Sequence, residues 1–316
     1  MHSSASNVKV EIKNGKVAFL ITKPLQLMVS LCISQQENST PKPDFLIVNN
    51  FAGSSEISSQ LQHNFTNLQN PLFFNDRKTA LGYVKSNNYK TLFIDSDVGF
   101  RNLIELGFLK INNPNLSIHV YEEGLGTYRS DFYSGFKKLI LQKIGAGTYF
   151  GGCSLVSNIY VYEAEEYLTS TKSDNKKVRE IKNKLPEFIR THRDSLRKLF
   201  SFNGLREEDA HRKVASLYLT SWNVDQEFFS KFQQLQGDLF VKAHPHIKTA
   251  LNASAAKVID AKVPAEILIM ELAETYESVC VYDHFSSVRR YLKRQNLTYK
   301  SANPESIESD PQSASL

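Results

Sequence analysis

The chain has 316 residues, of which 41% are hydrophobic and 22% are charged. This composition excludes a collagen, a long disordered chain and a small protein held together by disulfides. A total of 38 Lys and Arg against 33 Asp and Glu leaves a net charge of +5, which is too small by itself to indicate nucleic-acid binding. At roughly 150 residues per domain, the length predicts two domains or one large one.

The three cysteines, Cys32, Cys153 and Cys280, are far apart and form no CxxC pair. This spacing argues against a zinc site or a disulfide framework and is typical of a reducing cytoplasm. No apolar run approaches the ~20 residues of a membrane-spanning helix, and the first residues lack the pattern of a signal peptide. We therefore expect a cytoplasmic protein that is soluble or peripheral to a membrane.

Nine short apolar runs predict β-strands, and most of them are continuously apolar rather than alternating. Strands have this pattern when both of their faces are covered, as in a parallel α/β sheet. The runs form two series with helical periodicity between the strands, which predicts two Rossmann-like domains facing across a central cleft. The first series comprises residues 17–22, 45–48, 91–94 and 117–121, and the second comprises residues 159–162, 215–219, 238–241, 257–259 and 278–282.

The domain boundaries follow from these series. We assign residues 1–155 to an N-terminal domain and residues 156–300 to a C-terminal domain. The last segment, residues 301–316, is rich in Ser, Pro and Glu without apolar periodicity, and it is predicted to be disordered. Ligands of open α/β sheets bind at the carboxyl ends of the strands, so polar residues directly after each apolar run are the first candidates for a functional site.

Two segments concentrate positive charge. Lys172–Phe200 carries ten basic and four acidic residues, so this segment alone accounts for the net charge of the chain. Gly135–Lys143 is a shorter basic amphipathic stretch. Each segment is interpreted either as a solvated helix surface or as a contact for an anionic membrane or substrate.

The run at 117–121 is followed by two adjacent carboxylates, Glu122 and Glu123, and then by Gly124. A strand end holds such carboxylates rigidly, and crowding or partial desolvation makes one of them a better base. The alternative interpretation is a strand-to-turn junction with solvated acids. A dinucleotide-binding loop is weakly indicated, because no third glycine follows in register.

Three further motifs follow strands or open helices in the second half. His244 and Pro245 follow the run at 238–241, and an imidazolium there could donate a proton or pair with a phosphate. Ser286 and Ser287 precede a short helical stretch, where hydroxyls and free backbone N–H groups favour an anion. Glu266 lies in the first turn of a predicted helix, where it could cap the helix or accept hydrogen bonds from a ribose. Ordinary capping or burial is the alternative for each motif.

A competing motif is Asp95-Ser96-Asp97, directly after the run at 91–94. Two carboxylates one residue apart could hold Mg²⁺ or Mn²⁺ together with a sugar diphosphate. A hydrophobic strand followed by Asp-x-Asp resembles the metal and nucleotide-sugar site of one common glycosyltransferase architecture. The resemblance implies one candidate function, a metal-dependent glycosyltransferase that uses a UDP- or GDP-sugar at Asp95 and Asp97. A second alternative is a non-catalytic module that binds a glycan or a nucleotide.

In chain order, Glu-Glu-Gly, His-Pro, Pro-x-Glu and Ser-Ser resembles the motif set of the bacterial sialyltransferases of lipooligosaccharide, capsule and polysialic acid, from Glu122 to Ser287. The resemblance implies a GT-B fold, CMP-sialic acid as donor, inversion at the anomeric carbon and no metal or other cofactor. It also implies a glycan acceptor and a bacterial cytoplasmic location, with peripheral contact at the inner membrane. Nucleic acid is not an expected partner, and a homodimer remains compatible.

The resemblance also implies roles for the catalytic residues. Glu123 would be the general base that deprotonates the acceptor hydroxyl, although many relatives have the shorter Asp there. His244 would be the general acid, or the cation that stabilises the departing CMP phosphate. Ser286 and Ser287 would bind that phosphate, and Glu266 would hold the cytidine end.

The remaining candidates are placed by their position near these motifs. Pro245, Thr220 and Ser221 are assigned to the donor side because they follow strands of the second half. The acceptor or the sugar is assigned to Glu122, Gly124 and Gln26, the last in the loop after the first strand.

Overall fold

The computed structural model describes residues 15–36, 42–65, 71–173, 177–181, 184–205, 213–221, 224–244, 253–284 and 286–308. The chain divides into two compact units. The first unit comprises Met1–Asn50 and Phe65–Lys184, and the second comprises Phe51–Asn64 and Leu185–Leu316. A short segment of the N-terminal half therefore belongs to the second unit.

The first half of the chain alternates strands and helices. Its elements are β1 (Val17–Ile21), α1 (Pro24–Gln36), β2 (Asp44–Val48), α2 (Ser54–Asn64), β3 (Leu72–Phe74), α3 (Arg77–Ser86), β4 (Thr91–Ile94), α4 (Phe100–Asn112), β5 (Ser117–Tyr121), a 3-10 turn (Leu125–Tyr128), α5 (Gly135–Lys143), β6 (Asn158–Val161), α6 (Ala164–Thr171) and β7 (Val178–Glu180). All of these except α2 lie in the first unit.

The strands of the first unit form one parallel sheet in the order β3-β2-β1-β4-β5-β6-β7. Every residue of β1, β2 and β4 is buried, as their continuous apolar sequences predict. Phe19 of β1 pairs with Phe45 on one side and Phe93 on the other. The rings of Phe19 and Phe93 stack with centroids 4.4 Å apart, so aromatic packing continues across the centre of the sheet.

The second half repeats the pattern. Its elements are α7 (Lys184–Thr191), α8 (Arg193–Leu199), β8 (Val214–Leu219), α9 (Gln226–Phe232), β9 (Asp238–Lys242), β10 (Lys257–Ile259), α10 (Ala265–Thr275), β11 (Ser278–Asp283), α11 (Val288–Tyr291), β12 (Leu297–Ser301) and α12 (Pro304–Glu308). The five strands form a second parallel sheet in the order β10-β9-β8-β11-β12.

Both sheets reverse their winding direction beside their first strand. β1 leads to β2 and β3 on one side, and the chain then returns to β4 on the other side of β1. In the same way, β8 leads to β9 and β10 on one side, and β11 pairs with its other side. In open α/β sheets, ligands bind at the carboxyl ends of the strands at such a reversal point. These strand ends position the candidate site.

Two sequence-based assignments differ from the structure, the domain boundary at residue 155 and the disordered tail from residue 301. The run at 159–162 forms β6, which pairs with β5, and β7 extends the same sheet, so the first unit continues to Lys184 rather than ending at residue 155. The prediction of disorder from residue 301 is wrong as far as Glu308. β12 ends at Ser301, and α12 follows it with Ile307 5% exposed, because this apolar side chain packs into the core of the second unit. Residues 309–316 lie outside the described part of the chain.

Helix α2 is tied to the second unit by polar contacts as well as by packing against α8. The hydroxyl of Ser201 donates to Glu56 Oε1 at 2.8 Å, and Lys262 Nζ donates to Glu56 Oε2 at 3.0 Å. These contacts join segments that are 145 and 206 residues apart in the chain.

The basic segment Lys172–Phe200 contains the short strand β7 and the helices α7 and α8, with Pro186 in the first turn of α7, where proline is tolerated. Two of its arginines, Arg193 and Arg197, form ion pairs with Glu271 within the second unit. Arg193 Nε donates to Glu271 Oε1 at 2.7 Å, and Arg197 Nε donates to the same atom at 2.9 Å. Burial opposes ionisation of Glu271, but the bonds from both arginines outweigh it and lower the pKa of this carboxyl. The segment is therefore less available to an outside anion than its charge count suggests.

We expect Glu271→Gln to lower the free energy of unfolding by about 2–3 kcal/mol, because it leaves two partly buried guanidinium groups without their anion. The pKa of Glu271 is lowered in the folded state, so its contribution is present above the ordinary glutamate pKa of about 4.3 and is lost as the pH falls through the folded pKa. The difference between wild type and variant in denaturant titrations should therefore shrink in acid.

The matched control is Glu277→Gln, which removes an exposed carboxylate 3.6 Å from Lys213. Exposed pairs contribute little, so we expect a change within about 0.5 kcal/mol. Equal losses for the two variants would contradict the role assigned to Glu271.

Candidate functional site

The carboxyl end of β1 leads directly into α1, with Pro24 at the first helical position, where its missing N–H is not needed. Gln26 is fully buried in the first turn, and its Oε1 accepts from Thr22 N at 3.0 Å and from Thr22 Oγ1 at 2.9 Å. Its Nε2 has no hydrogen-bond partner among the described residues. A buried amide donor without an acceptor is unfavourable, so Nε2 is an unsatisfied donor at this strand end.

Glu123 forms an ion pair with Lys23, with Oε2 and Nζ 2.5 Å apart. The Glu123 side chain is 18% exposed and that of Lys23 is 43% exposed, so the pair is accessible to solvent. The backbone N–H of Glu123 donates to Thr127 Oγ1 at 3.0 Å. Oε1 lies so close to Gly126 that a β-carbon there would collide with it. The glycine at position 126 therefore leaves room for the carboxylate, which pairs with Lys23.

Gly124 precedes the 3-10 turn with φ +118°, a left-handed backbone conformation that only glycine adopts readily. Glu122, by contrast, is fully buried. Its Oε2 accepts from Tyr128 Oη at 2.8 Å and from Tyr162 N at 2.7 Å. Glu122 thus anchors the loop that carries Glu123, and it fixes this loop to the end of β6. The sequence-based assignment grouped Glu122 with the sugar-binding residues.

The two acids after β4 have different surroundings. Asp95 accepts from Arg77 Nε at 3.1 Å and from Thr22 Oγ1 at 3.3 Å. Asp97 is fully buried, and its two oxygens accept from Gly151 N and Cys153 N, each at 2.8 Å. Burial raises the pKa of Asp97 to about 6, although these backbone bonds oppose the shift.

The carboxylate of Asp97 is therefore occupied by the backbone of the loop before β6. Within the described ranges, no cluster of three or more His, Cys, Asp or Glu residues is arranged to hold a metal ion.

Lys23, Asp95 and Glu123 follow β1, β4 and β5, which are neighbours in the sheet at its reversal point. The Thr22–Asp95 and Lys23–Glu123 contacts join these three strand ends. Motif reading did not single out Lys23 and Arg77 as site residues, because ion pairs between distant segments leave no local pattern. The position of Lys23 just after the first strand could have marked it as a candidate site residue.

In the second unit, the structure brings Thr220 and His244 together. Thr220 N donates to Lys242 O at 3.1 Å, and His244 N donates to Thr220 Oγ1 at 2.8 Å. The ends of β8 and β9 are thereby linked, and partly buried Ser221 follows at the same edge. Pro245 lies outside the described residues.

The loop after β11 is organised by the buried carboxylate of Asp283. Its Oδ1 accepts from Ser286 N at 3.0 Å, and its Oδ2 accepts from Arg289 Nε at 2.8 Å. The hydroxyl of Ser286 accepts from Val288 N at 3.3 Å, and Ser287 is the residue before α11. The Ser286 hydroxyl therefore serves the turn before α11, whereas Ser287, the N-cap residue, makes no side-chain cap bond.

Sequence reasoning assigned no role to His284, which also follows β11. Its Nε2 lies 3.2 Å from Tyr218 Oη, and burial raises the pKa of Tyr218 to about 12. Because β8 and β11 are adjacent, His284 lies at the same sheet edge as Thr220. The position of His284 directly after the buried strand β11 could have marked it as a candidate site residue.

Glu266 lies in the first turn of α10 and is 6% exposed. Burial raises its pKa, while the charge of Lys242 acts in the opposite direction. Lys242 is also buried, its Nζ donates to Ala243 O at 3.0 Å and Ala261 O at 3.2 Å, and burial lowers its pKa to about 8. The two charges interact in the interior of the unit, and little of Glu266 is open to a ligand.

No protein-family model matches the chain, and no curated protein matches it either. Among solved structures, UDP-GlcNAc 2-epimerase from Methanocaldococcus jannaschii aligns with a TM-score of 0.53 and 10% sequence identity, over 93% of this chain and 90% of that one. The wall teichoic acid polymerase TagF aligns with a TM-score of 0.49 and 13% identity, over 87% of this chain and 67% of that one. The likeness to the epimerase concerns the fold. The predicted α/β class of GT-B type, with two Rossmann-like units, is confirmed.

We expect Asp97→Ala to lower the free energy of unfolding by about 2–4 kcal/mol, because it leaves the buried N–H groups of Gly151 and Cys153 without an acceptor. Thermal unfolding followed by circular dichroism would measure the loss. The control is Asp131→Ala, which removes a carboxylate whose side chain is 71% exposed and should leave stability nearly unchanged. A stable Asp97→Ala protein would show that these contacts do not hold the loop.

Proposed function

We propose that the chain is an inverting glycosyltransferase that moves sialic acid, or a related nonulosonic acid, from a CMP-activated donor to a hydroxyl of a surface glycan such as lipooligosaccharide or capsule. The observation that carries the proposal is the gathering of the motif residues at the reversal points of both sheets. The GT-B fold supports it as well, because this fold accommodates nucleotide-sugar chemistry. The resemblance carried by the order of the motifs supplies CMP-sialic acid as the donor and inversion at the anomeric carbon as the outcome.

Glu123 is proposed as the general base. An acceptor hydroxyl becomes nucleophilic when a positioned carboxylate takes its proton during attack. The Thr127 hydroxyl accepts from the backbone N–H of Glu123, the missing β-carbon of Gly126 leaves room for its carboxylate, and Lys23 pairs with that carboxylate while solvent still reaches it. Glu122 acts in this scheme as a positioning residue that fixes the loop from inside.

His244 is proposed to stabilise the leaving group in the second unit. A departing CMP carries one phosphate, and an imidazolium can donate to it or neutralise its charge. Thr220 accepts from the His244 backbone N–H and so fixes this loop at the carboxyl end of β9. Because a single phosphate needs less charge compensation than a diphosphate, no metal is required for this step.

The remaining assignments are part of the same proposal. Ser286, Ser287, Ser221 and Pro245 are assigned to the donor. Glu266 is assigned to its cytidine end on the order of the motifs alone, since little of its side chain is exposed. Gln26 is assigned to the sugar or the acceptor, and its unpaired Nε2 is the group that would donate to it. The metal-dependent alternative would need a free carboxylate at Asp97, whose two oxygens are both engaged by backbone N–H groups.

We expect Glu123→Gln and His244→Ala each to reduce turnover by roughly 10²–10⁴-fold, the range for loss of a general acid or base. The measurement is CMP release from CMP-sialic acid with a galactose-terminated acceptor, with and without EDTA. Exposed residues of the same types provide the controls, Glu165→Gln on α6 and His63→Ala on α2. Full activity in both test variants would refute the site, and loss of activity with EDTA would favour the metal-dependent alternative.

A separate test measures donor recognition without turnover. We expect CMP and CMP-sialic acid to raise the melting temperature more than CDP, UDP or GDP, since a ligand that binds only the folded protein stabilises it. His244→Ala should reduce the shift, and Glu123→Gln should retain it. A shift with CMP without turnover over a broad acceptor panel would favour a non-catalytic binding module. Preference for UDP or GDP would contradict the CMP assignment.

A further inference from the structure

The exposed apolar side chains of the described residues are not scattered. Ten large hydrophobic residues are exposed in these ranges, and eight of them belong to α4, to α5 or to the residue that follows α5, Ile144. We call these eight side chains the α4–α5 face: Phe100, Ile104, Phe108, Ile111, Phe136, Leu139, Ile140 and Ile144. Isolated exposed hydrophobic residues are ordinary, whereas such a concentration marks an interaction surface.

On α4 the exposed residues form a single stripe. At about 100° per residue, Phe100, Ile104, Phe108 and Ile111 fall within an arc of roughly 80°. Leu106 and Leu109 lie on the other side of the helix and are buried. Phe108 is 59% exposed and Ile111 is 76% exposed, so the helix presents one apolar side to the core and a second to solvent.

On α5 only Leu141 is buried. Phe136 is 78% exposed and Leu139 is 64% exposed, although burying them would be favourable by the hydrophobic effect. This nine-residue helix therefore contributes one buried side chain to the core. Its exposed apolar side chains can therefore contact a binding partner of the first unit.

Both helices belong to the first unit, and the start of α4 lies near both ends of α5. Gly99, which precedes α4, donates from its N–H to Gly147 O at 2.8 Å, and Gly147 follows α5. The hydroxyl of Tyr133, which precedes α5, lies against Gly99 so closely that a β-carbon there would collide with it. The start of α4 is thus in contact with both segments that flank α5.

The charges of α4, α5 and the residue after α5 are almost all positive. Residues 100–112 and 135–144 contain five basic side chains, Arg101, Lys110, Lys137, Lys138 and Lys143, and one acidic side chain, Glu105. Glu105 is bonded to Arg77 and to Arg101, so its charge is compensated locally. By the helical repeat, Lys143 lies between the exposed apolar residues of α5 rather than on the opposite side.

We propose that the α4–α5 face docks on the surface of an anionic lipid bilayer. Apolar side chains with interleaved lysines are what an interfacial helix presents, because its hydrophobic residues enter the acyl boundary and its cations meet lipid phosphates. The core of a protein–protein interface is instead depleted in lysine. This inference does not depend on the proposed function, and its test measures binding rather than activity.

The experiment is co-sedimentation of the full chain with vesicles of phosphatidylcholine, or of phosphatidylcholine mixed with phosphatidylglycerol. We expect binding to the mixed vesicles that weakens as salt is added, since screening reduces the attraction. The double variants Phe108→Ser with Phe136→Ser, and Lys137→Glu with Lys143→Glu, should each reduce bound protein roughly tenfold or more. The altered side chains are exposed, so melting temperatures should remain close to that of wild type.

The matched controls change the same residue types elsewhere. Phe73→Ser with Val258→Ser replaces the two exposed hydrophobic residues outside the face, and Lys85→Glu with Lys198→Glu makes the same change in charge. Both controls should bind like wild type. Equal binding to the two vesicle types, or loss of binding in the controls, would overturn the proposal. So would a concentration-dependent dimer in light scattering that Phe108→Ser with Phe136→Ser converts to monomer, because the face would then bind a second copy.

Discussion

Parallel pairing forces all strands of a sheet to end at the same edge, and both sheets of this chain are parallel throughout. The arrangement requires helices between the strands and apolar side chains on both strand faces, which is what β1, β2 and β4 provide. Because the strands end together, loops that are far apart in sequence lie next to one another at this edge. Lys23 and Glu123 are 100 residues apart and share an ion pair only because β1, β4 and β5 end at one edge.

The same constraint gives acidic residues after strands two kinds of role. Asp97, Glu122 and Asp283 are buried, and each accepts two hydrogen bonds that hold a loop in place. Asp95 and Glu123 are partly exposed, and they pair with Arg77 and Lys23. An acidic residue that ends a strand is therefore either an anchor for a loop or a group that a ligand can reach, and only its neighbours in three dimensions decide which.

The sequence predicted much of the fold, because continuous apolar runs are a strong local signal. All nine predicted strands are present, whereas β3, β7 and β12 were missed. β3 is short and leaves Phe73 partly exposed, and β7 consists mainly of charged residues, so neither has the pattern of a buried strand. Of the candidate site, the position of Glu123 after its strand was predictable. Its pairing with Lys23 was not, since contacts between distant strand ends leave no periodic trace.

Helix α2 has a consequence for how the protein can be divided. It comes from the N-terminal half of the chain and belongs to the second unit, where Glu56 contacts Ser201 and Lys262. The backbone therefore passes between the units three times, after Asn50, Asn64 and Lys184. Neither unit corresponds to one contiguous fragment, so a single cleavage cannot release either intact. During synthesis, more than a hundred residues are added after α2 before Ser201 and Lys262, the contacts of Glu56, are made.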